Sequence, residues 1–349
     1  MGSDGGDRMV GAVDDPGPAF ASRAVAASRP PIGAIALLLV ALTGCTSSDA
    51  PSPDTTADFP AISGKVGETP VVEFTEGADA EQVESLVITN GSGDTVTRHD
   101  LVASHQVIYE WGPDGSAREA YTSHDAAPLL ISVSALTEIA PEIAEAFAGV
   151  EVGTRLAMVF PDSSSPLSPG TETEGKNDNE DTSTLFILDI LDRYEARSTV
   201  DQKENETVFD GAGELPDVRA SRGRPPQVSI PDTAPPDEPT TTFMIEGDGE
   251  TATAGSTIVT QFQALTWADA TEFDSTWEYG AVPKDFVLEP SSVIEGWLNG
   301  LEGARAGSRV MLTVPPESGY GSRGNAAVDV GPDETLVYVI DILDVIATT

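Results

Sequence analysis

Cysteine, histidine and basic side chains are all scarce in this sequence, and each scarcity excludes a structural feature or a class of function. Cys45 is the one cysteine among 349 residues, so no disulfide can form within the chain. Lysine and arginine number 18 against 58 acidic residues, which gives a formal net charge of −40. So acidic a surface repels phosphate backbones, and we expect no nucleic-acid partner. The three histidines, His99, His105 and His124, lack the spacing of metal ligands, so we interpret them as ordinary surface or strand residues and expect no metal or cofactor.

Long apolar runs are scarce too, and the run at residues 32–41 is too short to cross a bilayer comfortably. Arg23 and Arg29 precede it, so the segment has the basic and apolar regions of a secretion signal. The run ends in Leu42-Thr43-Gly44-Cys45, which resembles the lipobox of bacterial lipoproteins. The resemblance implies cleavage before Cys45, a lipid on its sulfur, and anchorage on the outer face of the cytoplasmic membrane. An ordinary signal peptide with an incidental cysteine is the alternative.

The rest of the chain contains two related halves. Residues 90–95 match 246–251, with Gly93 and Gly249 separated by 156 positions (249 − 93). Residues 148–155 match 302–309 at an offset of 154 (307 − 153). An offset this steady indicates two copies of one fold, and because the period is domain-sized the copies form a tandem pair.

The second copy carries six short motifs in a characteristic order. They are FDS at 273–275, FVL at 286–288, VIEGW at 293–297, GARAGSR at 303–309, PPESGYG at 315–321 and TLVYVIDIL at 335–343. This series resembles the FKBP-type peptidyl-prolyl isomerases. The resemblance implies an α+β fold made of tandem FKBP-like domains, each a twisted antiparallel sheet wrapped around a short helix. We expect Ser291 or Ser292 to cap that helix, which should run to about Leu298.

These observations divide the chain into five segments. They are a signal peptide with a lipobox (1–44), a disordered tether rich in Ser, Thr, Asp and Pro (45–58), a degenerate FKBP-like domain (59–196), a linker (197–214) and an FKBP-type isomerase domain (215–349). The linker is expected to be mobile, because prolines punctuate the connection between the copies.

The resemblance also implies the site residues of the second copy. Its catalytic residues would be Phe273, Asp274, Trp297, Tyr320 and Tyr338. Its substrate-binding residues would be Phe262, Phe286, Val293, Ile294, Val328 and Val330, with the Ile294 N–H binding a substrate carbonyl. A pocket that excludes water favours the twisted prolyl amide over the planar one, because twisting removes the charge separation of the amide. No general base is then required.

Three features depart from the family pattern, and one of them is Val330-Gly331-Pro332, which stands where the flap of the family carries Ile-Pro-Pro. The family usually carries a tyrosine where Phe262 stands, and its hydroxyl bonds the carboxylate that corresponds to Asp274. A common aromatic residue is replaced by Lys284. We therefore expect Asp274 to be held less firmly and the outer wall of the pocket to be more polar.

The first copy departs further. Ile143 or a neighbour takes the place of Trp297, Gln106 takes the place of Phe262, and an acidic stretch at 172–181 follows the lost Tyr-Gly segment. We therefore predict that this copy folds similarly but does not catalyse.

The leading hypothesis is a membrane-tethered prolyl isomerase that assists the folding of exported proteins. Its partners would be proline-containing polypeptides and the membrane, through a lipid on Cys45, and macrolides would be inhibitors. The alternative is a non-catalytic chaperone that holds proline-containing or unfolded segments. A structural envelope lipoprotein would leave the aromatic series unexplained.

Overall fold

Two six-stranded antiparallel sheets organise the described part of the chain. The structure is a computed structural model that describes residues 59–76, 82–161, 182–200, 206–278 and 280–347. The predicted lipidation site Cys45, the signal peptide, the tether and the acidic stretch at 172–181 lie outside these residues. Of the helices that the structure describes, none is long and apolar enough to cross a bilayer.

The first sheet belongs to a unit that we call the first domain. Its elements are β1 (Ala61–Ser63), β2 (Val71–Glu73), β3 (Glu84–Thr89), β4 (Leu101–Trp111), β5 (Ala117–Thr122), β6 (Leu129–Ser132), α1 (Val133–Ile139), α2 (Pro141–Phe147), β7 (Arg155–Phe160) and β8 (Ser183–Tyr194). The strand order is β3-β7-β8-β4-β5, with β6 also paired to β4.

The second domain repeats this arrangement. Its elements are β9 (Glu206–Phe209), β10 (Asp217–Ser221), β11 (Gln227–Ser229), β12 (Thr240–Ile245), β13 (Thr257–Thr266), β14 (Glu272–Ser275), β15 (Lys284–Val287), α3 (Glu295–Leu301), β16 (Arg309–Val314) and β17 (Leu336–Ile346). The strand order is β12-β16-β17-β13-β14, with β15 also paired to β13. The two sheets therefore follow the same path, and the predicted α+β class, dominated by sheet with few helices, is confirmed.

Both faces of each sheet are covered, which explains why β7 and β16 are buried at every position. Val310, Leu312 and Val314 pack with α3 in one core cluster. Met311 points to the other face, where it packs with Val218 of β10 in a second cluster. Consecutive apolar residues in β16 therefore serve two cores.

The outer face of each sheet is covered by a small N-terminal sheet. In the first domain β1 pairs with β2, and Trp111 Nε1 donates to the Thr75 carbonyl at 3.2 Å. In the second domain β9, β10 and β11 form this cover, and Trp267 Nε1 donates to the Thr233 carbonyl at 3.1 Å. The predicted boundary at residue 215 therefore cuts through a sheet, because β9 precedes it. Prolines exclude a helix here but are compatible with short edge strands.

The first residues of the predicted mobile linker, 197–200, are fixed by hydrogen bonds. The Arg197 N–H donates to the Ala281 carbonyl at 2.7 Å, and the Val200 N–H donates to Asp341 at 3.2 Å. Hydrogen bonds therefore join residues 197–200 to the second domain.

The structure also corrects the start of α3. Its N-cap is Ile294, which makes no side-chain capping bond, and the helix ends at Leu301 rather than near Leu298. The Ser291 hydroxyl instead bonds Glu289, and the Ser292 N–H bonds the Glu289 carbonyl. Both serines belong to the turn before the helix.

Candidate functional site

The side chains predicted to form the site converge between α3 and the inner face of the second sheet. Of these, Phe262, Val293, Ile294, Trp297, Val328, Val330 and Tyr338 are buried in one cluster, and Phe273, Phe286 and Tyr320 pack against it half-buried. Asp274, on β14 opposite Ala264, is buried at the edge of this cluster. The structure thus brings all eleven residues together, although they come from seven separate stretches of the sequence.

Trp297 is the centre of the aromatic cluster. Its ring centroid lies 5.5 Å from that of Phe262, 5.1 Å from Phe286 and 5.4 Å from Tyr338, each edge to face. Such pairs are the favoured geometry of aromatic rings and stabilise the site beyond simple burial. Trp297 is 0% exposed, so a ligand reaches the indole only when neighbouring side chains move apart.

The position of Ile294 leaves its backbone N–H outside the helix ladder. Ile294 is the N-cap of α3, and its carbonyl accepts from the N–H groups of Trp297 and Leu298. A residue at the N-cap has no earlier turn to which its own N–H can donate. The geometry is therefore compatible with the predicted bond from Ile294 to a substrate carbonyl.

Two tyrosine hydroxyls and one carboxylate form the polar part of the site. Burial raises the pKa of Tyr320 and that of Tyr338, and the nearby Asp274 carboxylate raises both further. Both hydroxyls are solvent-inaccessible. They lie close enough to interact with each other, and Tyr320 with Asn325, but within the described residues neither completes a hydrogen bond of standard geometry. They are thus protonated donors that a substrate carbonyl can engage.

An open cavity of about 640 Å³ lies beside this cluster. Val293, Ile294 and Tyr320 belong both to its lining and to the predicted site. The lining also includes residues that the sequence argument missed, namely Leu298, Asn299, Arg323 and Asn325. Leu298 lies four residues after Ile294, and Asn299 four after Glu295, which also lines the cavity, so helix periodicity could have indicated both.

On the corresponding face of the first domain, two of these side chains are replaced within the described residues. Ile143 of α2 is buried at its core, and Gln106 pairs with Leu188 in the register in which Phe262 pairs with Ile340. Both replacements agree with the alignment made from the sequence alone. The inserted helix α1, capped by the Ser132 hydroxyl, was not predicted.

Two histidines of the first domain lie together rather than apart at the surface. The rings of His105 and His124 stack with centroids 4.6 Å apart, and His124 Nε2 lies 3.8 Å from Asp189. Asp189 is itself held in a buried ion pair with Arg155, at 2.6 Å. Among the residues that the structure describes, no group of three or more histidine, cysteine or acidic side chains could hold a metal ion.

Comparison with known proteins places the second domain among prolyl isomerases. Residues 248–343 match the family described as FKBP-type peptidyl-prolyl cis-trans isomerase. The FK506-binding protein of Streptomyces anulatus is 35% identical over 120 residues, which are 34% of this chain and 96% of that protein. The isomerase FkpA of Escherichia coli K12 is 35% identical over 99 residues, which are 28% of this chain and 34% of that protein.

Solved structures of related proteins were compared as well. The crystal structure of FkpA from Escherichia coli covers 31% of this chain and 48% of its own, at 31% identity and a TM-score of 0.29. The three FKBP domains of wheat FKBP73 cover 75% of this chain and 94% of their own, at 15% identity and a TM-score of 0.28. The family assignment rests on the sequence relatives, not on these superpositions.

Proposed function

This chain belongs to the FKBP family of peptidyl-prolyl cis-trans isomerases, and from that premise we propose that it isomerises prolyl bonds in exported proteins while anchored by a lipid on Cys45. The site assignment is supported by the convergence of Phe273, Trp297 and Tyr320 in one cluster, with Asp274 beside it opposite Ala264. We propose further that the first domain is a degenerate FKBP-like domain without this activity, because Ile143 and Gln106 occupy the positions of Trp297 and Phe262.

The proposed mechanism uses burial and hydrogen bonding. The planar prolyl amide is separated from the twisted one by about 18–20 kcal/mol, and the twisted form has a less polar carbonyl. A water-excluding aromatic wall therefore stabilises the twisted form relative to the planar form. The Ile294 N–H and the Tyr320 hydroxyl would hold neighbouring carbonyls of the peptide, so that rotation occurs about one bond.

Substrate access requires the cluster to open. Phe273 and Tyr320 are half-buried, whereas Trp297 and Tyr338 are fully buried. We therefore propose that a proline ring enters from the open cavity beside Tyr320 and displaces the half-buried side chains. The relatives named as FK506-binding proteins suggest a macrolide as a competing ligand for the same space.

The anchor and the export route are supported by the N-terminal sequence. The basic residues, the apolar run at 32–41 and the Leu-Thr-Gly-Cys ending at Cys45 are the features of a lipoprotein signal. One lipid chain binds membranes only marginally, so stable anchorage needs more than one acyl group at this end.

Expression in a bacterial host with radiolabelled palmitate tests the anchor. Wild-type protein should carry label and sediment with membranes, whereas Cys45→Ser should carry none and remain in the supernatant. Unlabelled wild-type protein, or a Cys45→Ser variant that sediments as the wild type does, would contradict the anchoring proposal. Neither result bears on isomerase activity.

A further inference from the structure

Lys284 reaches across the edge of the aromatic cluster to the buried carboxylate of the site. Its Nζ lies 3.6 Å from Asp274 Oδ1 and 5.7 Å from the centre of the Phe262 ring. Asp274 is 7% exposed, and its Oδ1 also accepts the Ser275 N–H at 2.8 Å. A carboxylate buried to this extent is stable in its charged form only with a cation or several donors nearby.

The strand register explains why these groups meet. β14 and β15 lie along the same edge of β13, with Asp274 opposite Ala264 and Lys284 opposite Thr260. Phe262 stands between Thr260 and Ala264 on β13, two residues from each, so all three project to one face. The Lys284 side chain therefore extends over the Phe262 ring towards Asp274.

We propose that Lys284 is the positioning residue for Asp274. Phe262 has no polar atom with which to hold the carboxylate, and the Lys284 ammonium supplies the missing partner from the neighbouring strand. The two departures at positions 262 and 284 are then one coupled change, and Asp274 is held by charge rather than by a hydroxyl. This inference rests on the proposed role of Asp274 in the site.

The effect on the reaction passes through the tyrosine hydroxyls. The Asp274 carboxylate is close enough to raise the pKa of Tyr320 and Tyr338, after the larger effect of burial. Without Lys284 this carboxylate would be uncompensated at the pocket edge and would turn towards solvent. The hydroxyls and the peptide carbonyls would then lose a fixed neighbour in the transition state.

The test is a double-substitution cycle on the mature chain, with kcat/KM for an Xaa-Pro peptide and the thermal midpoint both measured. Lys284→Met should lower kcat/KM about fivefold, the size expected for one partly exposed ion pair. Lys284→Arg should retain most of the activity, because it keeps the charge. Lys65→Met is the matched control, since Lys65 forms an exposed pair with Glu68 at the same 3.6 Å, in the first domain.

The decisive arm is the substitution of Phe262 by tyrosine in both backgrounds. The added hydroxyl should raise kcat/KM more in the Lys284→Met protein than in the wild type, since only there does Asp274 lack the Lys284 ammonium. Equal effects in the two backgrounds, or a Lys284→Met protein as active as Lys65→Met, would overturn the inference. An inactive wild type would instead refute the proposed role of the site, which separates the two failures.

Discussion

Replacing Gly296 by alanine should separate α3 from the sheet and lower both stability and activity. A Cβ at this position would stand 2.5 Å and 2.7 Å from the two γ-carbons of Val314, and 3.1 Å from its Cβ. Val314 is 1% exposed and β-branched, so its side chain has little freedom to rotate away. The helix itself must therefore move, and with it the adjacent Trp297.

Two opposing terms set the size of the effect. Alanine is favoured over glycine inside a helix by about 1 kcal/mol. Overpacking a filled core costs about 1–3 kcal/mol, and contact with stiff γ-carbons belongs at the upper end. We therefore expect Gly296→Ala to lower the free energy of unfolding by about 1–2 kcal/mol, with kcat/KM falling about tenfold because the displaced indole no longer fits the pocket.

Gly300→Ala is the matched control on the same helix. Its Cβ would meet the tip of Leu312 at 2.7 Å and the Thr241 hydroxyl at 3.1 Å. A leucine tip can rotate, so the gain in helix propensity should offset the contact and leave stability within about 0.5 kcal/mol of the wild type. Adding Val314→Ala to Gly296→Ala removes both clashing carbons and should restore part of the activity.

Urea unfolding followed by tryptophan fluorescence measures these differences, because three of the four tryptophans lie in the second domain. The first domain contributes only Trp111, so the transition of the second domain dominates the signal. If Gly296→Ala unfolds at the same urea concentration as Gly300→Ala and keeps full activity, the close packing of α3 on β16 is not what holds Trp297 in place.

Two further predictions concern buried charge. The Asp341 oxygens lie 2.6 Å and 2.8 Å from the Arg309 guanidinium, so Asp341→Asn leaves Arg309 buried without its counter-ion. The substitution should lower the free energy of unfolding by about 3–5 kcal/mol. A loss below about 1 kcal/mol in urea unfolding would contradict this. Burial and the neighbouring His124 lower the pKa of His105, so the unfolded chain takes up this proton first as the pH falls, and stability declines below about pH 6.5. Gln261 is the equivalent residue of the second domain, and His105→Gln introduces the same side chain. The variant should lose less stability than the wild type between about pH 7 and 5. An unchanged pH profile of the thermal midpoint would refute this prediction.

The sequence predicts best where one local pattern has one structural outcome. The apolar, β-branched-rich stretches at 258–265 and 336–343 identify β13 and β17, and these stretches are buried at almost every position because both faces of the sheet are covered. The motif series then places the aromatic residues around Trp297. The same reasoning aligned Gln106 with Phe262, since strand pairing preserves the register between the two copies.

The sequence predicts the structure poorly where contacts join short segments that are distant in the chain. Lys284 and Asp274 meet only because two four-residue strands share one edge of β13. Nothing in either strand alone indicates that partner, so the sequence predicts only that Lys284 makes the outer wall of the pocket more polar. Ser291 and Ser292 have the preferred chemistry of helix caps, yet the backbone turn places Ile294 at the cap.

The covering sheets are predicted only in part. Alternation and β-branching at residues 227–230 favour an edge strand, which is present as β11, whereas sequence reasoning missed β9 and β10. β9 to β11 contain short strands between prolines, and their burial depends on the outer face of a sheet far away in the chain. The side chains of Val218 and Trp267 become core only once that contact exists. A boundary drawn at residue 215 from composition therefore divides one structural unit.

The most direct test of the central claim is a protease-coupled isomerase assay on residues 46–349, which compares Phe273→Ala with Phe74→Ala. Both phenylalanines are half-buried and lie edge to face on an aromatic partner, Phe273 on Tyr338 at 5.9 Å and Phe74 on Trp111 at 5.7 Å. The wild type and Phe74→Ala should accelerate Xaa-Pro isomerisation equally, whereas Phe273→Ala should lose about tenfold or more, equivalent to about 1.4 kcal/mol of transition-state stabilisation. A folded wild type that leaves the uncatalysed rate unchanged, or equal losses in the two variants, would contradict the assignment of catalysis to the second domain.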